Sequence, residues 1–341
     1  YARGSDTVTV AVIDTGVDAG HADLQENIYT NENEIPNNGI DDDQNGYVDD
    51  VHGWNFVHDN NNPHDDHWHG THCAGSVGAR GNNGIGVAGV AWRVKIVPIK
   101  ILNSQGYGYY SDIVPAIYYT TRLGVDLTSN SWGGGGSCSC LYSAIADADQ
   151  AGILFVAAAG NSSLNADVYP HYPSGYSCDN IVSVAASNRS DNRAYFSNYG
   201  ASSVDVAAPG QSILSCYPGN RYTYASGTSM ATPHVAGALA VLKAHRPEMT
   251  GPELKTRLMQ SVDVLSSFTG LCQSNGRINL AEAVNVAENN APPVADDQSL
   301  VTAEDTPLDI TLTATDPEDN EIIYSIASHP EHGTVTGTPP N

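Results

Sequence analysis

Basic residues are scarce in this chain of 341 residues: 14 Lys and Arg stand against 38 Asp and Glu, a formal net charge of −24. Such a surface repels phosphate backbones and anionic lipid, which excludes nucleic-acid and membrane partners and favours cations, calcium among them. Most of the acids keep the surface soluble, and only clustered ones call for a site. Long apolar runs are missing too. The longest, such as 153–159, have strand length, far short of the ~20 residues that span a bilayer. No initiator Met and no charged-then-apolar leader stands before Tyr1, so a leader is expected to have been cleaved or to lie outside this sequence. Six cysteines with very little lysine fit an oxidising, extracellular setting, although their spacing selects no pairing.

What is present is an alternation of short strands and helices. The β-branched run 8–13 ends at Asp14-Thr15-Gly16 and reads as a buried strand that delivers an acid to a sheet edge. Similar runs recur at 95–101, 154–159, 181–186 and 204–208, with helix-like segments at 69–77, 113–123, 143–151, 229–245 and 252–262. This rhythm predicts an α/β domain around a mostly parallel sheet, with its site at the carboxyl ends of the strands. Residues 27–66, crowded with Asn, Asp, Gly and Pro, read as a long functional or ion-holding loop. A polar, Pro-bearing linker at 288–293 separates an expected domain 1–287 from 294–341, whose alternating stretches 308–313 and 322–326 read as opening strands of a β-sandwich. That last segment is shorter than the ~100 residues of a full sandwich, so the chain is expected to stop inside this module.

Three motifs carry the chemistry: Val12-Ile13-Asp14-Thr15-Gly16, His69-Gly70-Thr71-His72-Cys73-Ala74-Gly75, and Gly227-Thr228-Ser229-Met230-Ala231-Thr232-Pro233-His234. A serine hydroxyl becomes a nucleophile when an imidazole accepts its proton and a carboxylate holds that imidazole in one tautomer. The order Asp, His, Ser excludes chymotrypsin-like and α/β-hydrolase arrangements, and no G-x-S-x-G elbow surrounds Ser229. With these motifs the chain resembles the subtilisin-like serine proteases, over about 8–286, and 294–341 resembles the start of a cadherin-like or bacterial Ig-like module. The resemblance implies a three-layer α/β fold with a mostly parallel sheet flanked by helices, Asp14, His69 and Ser229 as a catalytic triad, and an oxyanion hole made by Asn161 with the Ser229 N–H. Taken alone, Asp14 or Asn161 would be read as a turn or cap residue. His72 and His234 are read as packing or hydrogen-bonding residues, and the histidines 64, 67, 69 and 72 are not read as a zinc site, because no H-E-x-x-H pattern exists.

The same resemblance implies a substrate channel in which Ser131-Trp132-Gly133 and Ala158-Ala159-Gly160 line the pocket before the scissile bond. Gly106-Tyr107-Gly108 would pair with the substrate backbone, Tyr110 would border a more distant apolar subsite, and Val168 would form a shallow pocket floor. No acid is evident to select Lys or Arg, so broad or apolar specificity is expected. Trp68, an unusual neighbour for His69, is expected to shape the leaving-group side.

Oxygen donors at alternate positions in 41–50, with Gly46 at a tight turn, read as a calcium loop through Asp41, Asp43, Asn45, the Tyr47 carbonyl and Asp49 or Asp50. His52 stands where an EF-hand has Glu, so the loop is EF-like only. The resemblance implies a second Ca2+ site from Asp23, Asn83 and the carbonyls of Ile85 and Val87. It also implies a free thiol at Cys73; pairing of Cys178 with Cys138 or Cys140, and of Cys216 with Cys272, is expected. The function so read is that of a secreted, calcium-stabilised serine endopeptidase acting on proteins or peptides as a monomer, made with an inhibitory propeptide outside this chain. The rivals are an esterase on the same fold and a non-catalytic calcium-dependent adhesin or matrix-binding protein. A binding scaffold has no need of all four of Asp14, His69, Ser229 and Asn161.

Overall fold

The structure, a computed structural model, describes residues 3–285, 294–315, 322 and 334. The chain divides into two compact units, Tyr1–Val284 and Asn285–Asn341. In the first, the strands are β1 (Gly4–Asp14), β2 (Trp54–Asn55), β3 (Arg93–Lys100), β4 (Leu127–Asn130), β5 (Leu154–Ala158), β6 (Ile181–Ser187), β7 (Val206–Pro209), β8 (Ile213–Tyr217), β9 (Arg221–Ala225), β10 (Asp263–Val264) and β11 (Gly276–Arg277). The helices are α1 (His69–Gly78), α2 (Tyr110–Leu123), α3 (Ser139–Gln150), α4 (Thr228–His245), α5 (Gly251–Gln260) and α6 (Leu280–Asn285). Nine strands form one sheet in the order β10-β11-β7-β6-β5-β4-β1-β3-β2, parallel except for the antiparallel β10–β11 pair at one edge.

Side-chain alternation along the strands decides which helices cover which face. In β1, Val8, Val10 and Val12 enter a core with Ala74 and Val77 of α1, Val235 and Leu239 of α4, and Leu254 and Leu258 of α5. Ala11 and Ile13 point the other way, into a core with Ile113 and Ile117 of α2 and Leu141 and Ile145 of α3. These are the three layers expected: helices, sheet, helices. β4 escaped the sequence reading because Leu-Thr-Ser-Asn carries no apolar run; its register against β1 and β5 makes it a strand. The β8–β9 hairpin was missed as well, since its side chains are mostly half-exposed.

The cysteine pairing departs from the expectation. Cys138 is bonded to Cys140, two residues away, and Cys73, Cys178, Cys216 and Cys272 are free and buried. Neither Cys178 with Cys138 or Cys140 nor Cys216 with Cys272 is joined. Cys138 is the N-cap of α3 and has no side-chain cap hydrogen bond, so the covalent tie stands where a capping side chain would.

In the second unit, Val294–Ala295 (β12) pairs antiparallel with Ala314–Thr315 (β13). Residues 308–313, expected as a strand, are irregular; their period-two pattern finds no partner strand among the described residues. Ile322 also lies outside any strand, while the linker 288–293 and 323–326 lie outside the described residues.

Candidate active site

Asp14 is the last residue of β1, fully buried at the sheet's carboxyl edge. The chain turns there around Lys100, a buried lysine whose Nζ donates to the carbonyls of Thr15 and Leu102 and to Asp66, each at 2.7 Å. α1 begins at His69 and approaches this turn closely because its second residue is Gly70; a Cβ there would stand 2.1 Å from the Gly16 carbonyl oxygen. The result is a 2.7 Å hydrogen bond from His69 Nδ1 to Asp14 Oδ1, an oxygen that also accepts the Thr15 N–H at 2.7 Å. A carboxylate only accepts, so this bond leaves Nε2 as the basic nitrogen. Burial disfavours the imidazolium, but the Asp14 carboxylate and its hydrogen bond outweigh it and raise the His69 pKa well above 6.5.

Ser229 is the second residue of α4, which starts after Gly227. Pro233 stands four residues later and has no N–H, so the Ser229 carbonyl loses its partner within the helix. Two side chains replace it: Ser131 Oγ donates to that carbonyl at 2.8 Å and Cys73 Sγ at 3.4 Å. The Ser229 hydroxyl donates to the Ser131 carbonyl at 3.0 Å. Ser131 therefore holds the serine at two points. Cys73 lies 3.9 Å from His69 Nδ1, and burial raises its thiol pKa, which keeps it protonated.

Asn161 follows β5. Its Oδ1 accepts the Thr228 N–H at 2.8 Å and the Thr228 hydroxyl at 3.1 Å, which fixes the amide and leaves its NH2 unpartnered among the described residues. The Ser229 N–H lies in the first turn of α4, where helix amides lack intrahelical acceptors.

A cleft of about 690 Å³ opens beside His69. Gly106, Tyr107, Gly108, Tyr110, Ser131, Trp132 and Gly133 line it as expected, joined by His67 and Tyr172. Tyr110 donates to the Gly136 carbonyl at 2.7 Å and Gly134 N–H to the Tyr172 carbonyl at 2.9 Å, which tie down the glycine run on the cleft wall. Ala158, Ala159 and Gly160 are buried at and after the end of β5 and are not among the residues lining the cleft. Val168 is not there either: its side chain is 62% exposed. The group packed between Gly133 and Gly160 is His171, so close that a Cβ on Gly133 would come within 2.3 Å of its Cε1 and one on Gly160 within 2.8 Å of its Cδ2. Burial lowers the His171 pKa, so the ring is neutral. No sequence motif marks it; only the segments that follow β4 and β5, converging on one ring, do.

In the acidic loop, carboxylate oxygens of Glu34, Asp41 and Asp43 lie within 4.8 Å of one another. Three such groups repel unless a cation sits among them, and an all-oxygen donor set suits a hard one. Glu34 was missed in the sequence because it precedes the loop; it folds back to accept N–H groups of Asp42, Asp43 and Asp49. Asp50 is buried and accepts Tyr119 OH at 2.6 Å and Asn45 Nδ2 at 2.9 Å. Asp49 instead accepts the N–H groups of Asn38 and Gly39, and the Asn45 side-chain oxygen accepts the Tyr47 N–H. At the second set, Asp23 meets Asn83 Nδ2 at 2.6 Å, Val87 N–H at 2.8 Å and Tyr222 OH at 3.2 Å; Ile85 N–H bonds to Asn83 Oδ1. This is one carboxylate satisfied by three donors.

Comparison with known proteins accords with this geometry. Residues 5–295 match the subtilase family and 289–341 a bacterial Ig domain. Thermitase of Thermoactinomyces vulgaris is 36% identical over 275 residues, covering 81% of this chain and 88% of thermitase. Subtilisin DY of Bacillus licheniformis is 38% identical over 277 residues, 81% of this chain and 90% of that protein. A crystal structure of a cold adapted subtilisin-like serine proteinase superposes with a TM-score of 0.63 at 31% identity, covering 81% of this chain and 88% of the other. The chain belongs to the subtilase family and is a serine endopeptidase.

Proposed function

We propose that Ser229 attacks the peptide carbonyl, that His69 takes its proton and returns it to the departing amine, and that Asp14 orients the imidazole and stabilises its charged form. Asn161 Nδ2 and the Ser229 N–H receive the oxyanion. The observation that carries this reading is the buried Asp14–His69 hydrogen bond of 2.7 Å, on the same sheet edge as an Asn161 amide whose oxygen is anchored and whose nitrogen is left to donate. The substrate lies extended along Gly106–Gly108 and Ser131–Gly133 as an added strand. The neutral His171 ring, in place of a charged group, fits broad or apolar preference before the scissile bond.

Calcium would be held by Glu34, Asp41 and Asp43, with Asp50, Asn45 and the Tyr47 carbonyl around them, and it would neutralise the loop's charge. The Asp23 set is a second, weaker candidate, in which the Asn83 amide oxygen and the carbonyls of Ile85 and Val87 would face the ion. The protein works outside the cell as a monomer made with an inhibitory propeptide. Residues 1–287 are its catalytic domain and 288–293 a linker to the Ig-like module 294–341. Casein hydrolysis with millimolar calcium, compared with Ser229→Ala and with fluorophosphonate treatment, tests the assignment: both should abolish cleavage. Cleavage that survives either would reject Ser229 as nucleophile, and a folded, calcium-loaded protein that cleaves nothing would favour the adhesin reading.

A further inference from the structure

Trp68 stands next to His69 in a backbone conformation that tryptophan does not favour, with φ at 145°. Every other non-glycine residue with positive φ among the described residues is Asn, Asp, Gln or Ser, at 50° to 61°. The neighbourhood enforces the conformation. Buried Asp65 accepts the N–H groups of His67 at 3.0 Å and Trp68 at 2.9 Å through Oδ1, and the Thr71 N–H at 2.9 Å and hydroxyl at 2.6 Å through Oδ2. Strain held this firmly beside a reacting group points to use.

The indole stacks on His67, centroids 5.4 Å apart at 20°, and on Tyr217 of β8, 6.4 Å apart at 13°. It meets His69 edge-on at 5.6 Å. Only His67 of the stacked rings lines the cleft assigned to residues before the scissile bond; Trp68 and Tyr217 do not, and both are partly exposed. The stack thus begins in that cleft, runs beside His69 and ends on rings outside the cleft lining. We infer that Trp68 and Tyr217 form the wall that meets the side chain of the first residue after the scissile bond, and that they select a neutral aromatic residue there. This rests on the triad assignment above.

Stacking covers the ring faces and leaves edges free; edges carry the positive side of the quadrupole and prefer an incoming aromatic face. The Arg221 guanidinium, 4.4 Å from the Tyr217 centroid, adds positive charge at the end of the stack and disfavours Lys or Arg. A like-sized aliphatic side chain gains the apolar contact but not the quadrupole term.

The acyl-enzyme reports this surface directly. An amine attacks the Ser229 ester carbonyl, its proton passes through His69 to Ser229 Oγ, and a new amide replaces the ester; this is leaving-group departure reversed, so the amine's side chain occupies the same wall. An apolar peptide methyl ester would be supplied with phenylalaninamide, leucinamide and argininamide at equal concentration, and the amide products measured. All products come from one acyl-enzyme, so their ratio does not depend on how fast it forms. Phenylalaninamide should exceed leucinamide about 3- to 10-fold, the size of an aromatic pair interaction, with argininamide below both. The ratio should fall toward one in Trp68→Gly, where glycine suits the backbone, and in Tyr217→Ala; loss in either supports the wall. Equal use of phenylalaninamide and leucinamide by the unsubstituted protein, or a ratio that survives both substitutions, would overturn it. Hydrolysis and aminolysis both absent would overturn the triad assignment, and the wall with it.

Discussion

At the scale of single residues, the proposed mechanism makes the Asp14–His69 pair set the pH at which the enzyme can work. The general base must be neutral, and Asp14 raises its pKa well above 6.5. The acid limb of kcat/KM should therefore lie above pH 6.5. In Asp14→Asn the carboxylate's pull on the imidazolium is gone and burial is opposed only by the weaker pull of Cys73, so the limb of the residual activity should move to lower pH while kcat falls about 10,000-fold; a limb that stays in place would mean that another group titrates. Loss of the Asn161 donor should lower turnover by about 100- to 1,000-fold, the loss already known for the corresponding donor of subtilisin. His171→Gly should open the space between Gly133 and Gly160 and shift preference toward larger residues before the scissile bond, read as kcat/KM for Phe against Ala substrates. The bonded pair Asp14 and His69 was legible because each partner sits in a motif of several residues. Asp65, His171 and Glu34 were not, because each acts through partners brought together only by folding.

Among elements, one imidazole of α1 ties both strands of the β8–β9 hairpin. His72 Nε2 lies 3.1 Å from the Ile213 carbonyl and 3.2 Å from that of Thr223, so it donates to both strands of the hairpin. Burial depresses the His72 pKa to about 4, against the pull of those carbonyls. The unfolded chain takes up this proton near pH 6.5 and the native one only near 4, so this group's contribution to stability falls as pH drops from 6.5 to 4 and levels below. His72→Gln lacks the titration; its deficit against the parent in urea unfolding should narrow over that window, and a constant gap would assign the pH dependence elsewhere. Helices α1 to α5 and the long strands could be read to within a few residues because their apolar periods carry the signal, whereas α6, only six residues long, was not read. β4 and the hairpin could not: the first is polar and the second half-exposed, and pairing with neighbours defines both. The Cys138–Cys140 bond was likewise not legible, because spacing alone selects no pairing among six cysteines.

On the scale of the whole molecule, charge and fold meet in the acidic loop. Its carboxylates reach the interior through Tyr119 of α2, the helix whose first residue, Tyr110, lines the substrate cleft. A chelator should lower the melting temperature of the protein by about 5–10 °C, the shift expected where calcium stands ~100-fold above its Kd. Glu34→Gln should reduce that difference; an unchanged melting temperature in chelator would reject the site. An enzyme that cuts extended chains can also cut an irregular loop of its own kind. Between Ile28 and Trp54 no regular element protects the backbone, and side-chain bonds from Glu34, Asp41, Asp43 and Asp49 hold it instead. Without a cation among those acids this segment would loosen into an accessible peptide, and the nearest protease is a second copy of the protein. Autolysis would then set the working lifetime, with the calcium level of the surroundings as its clock.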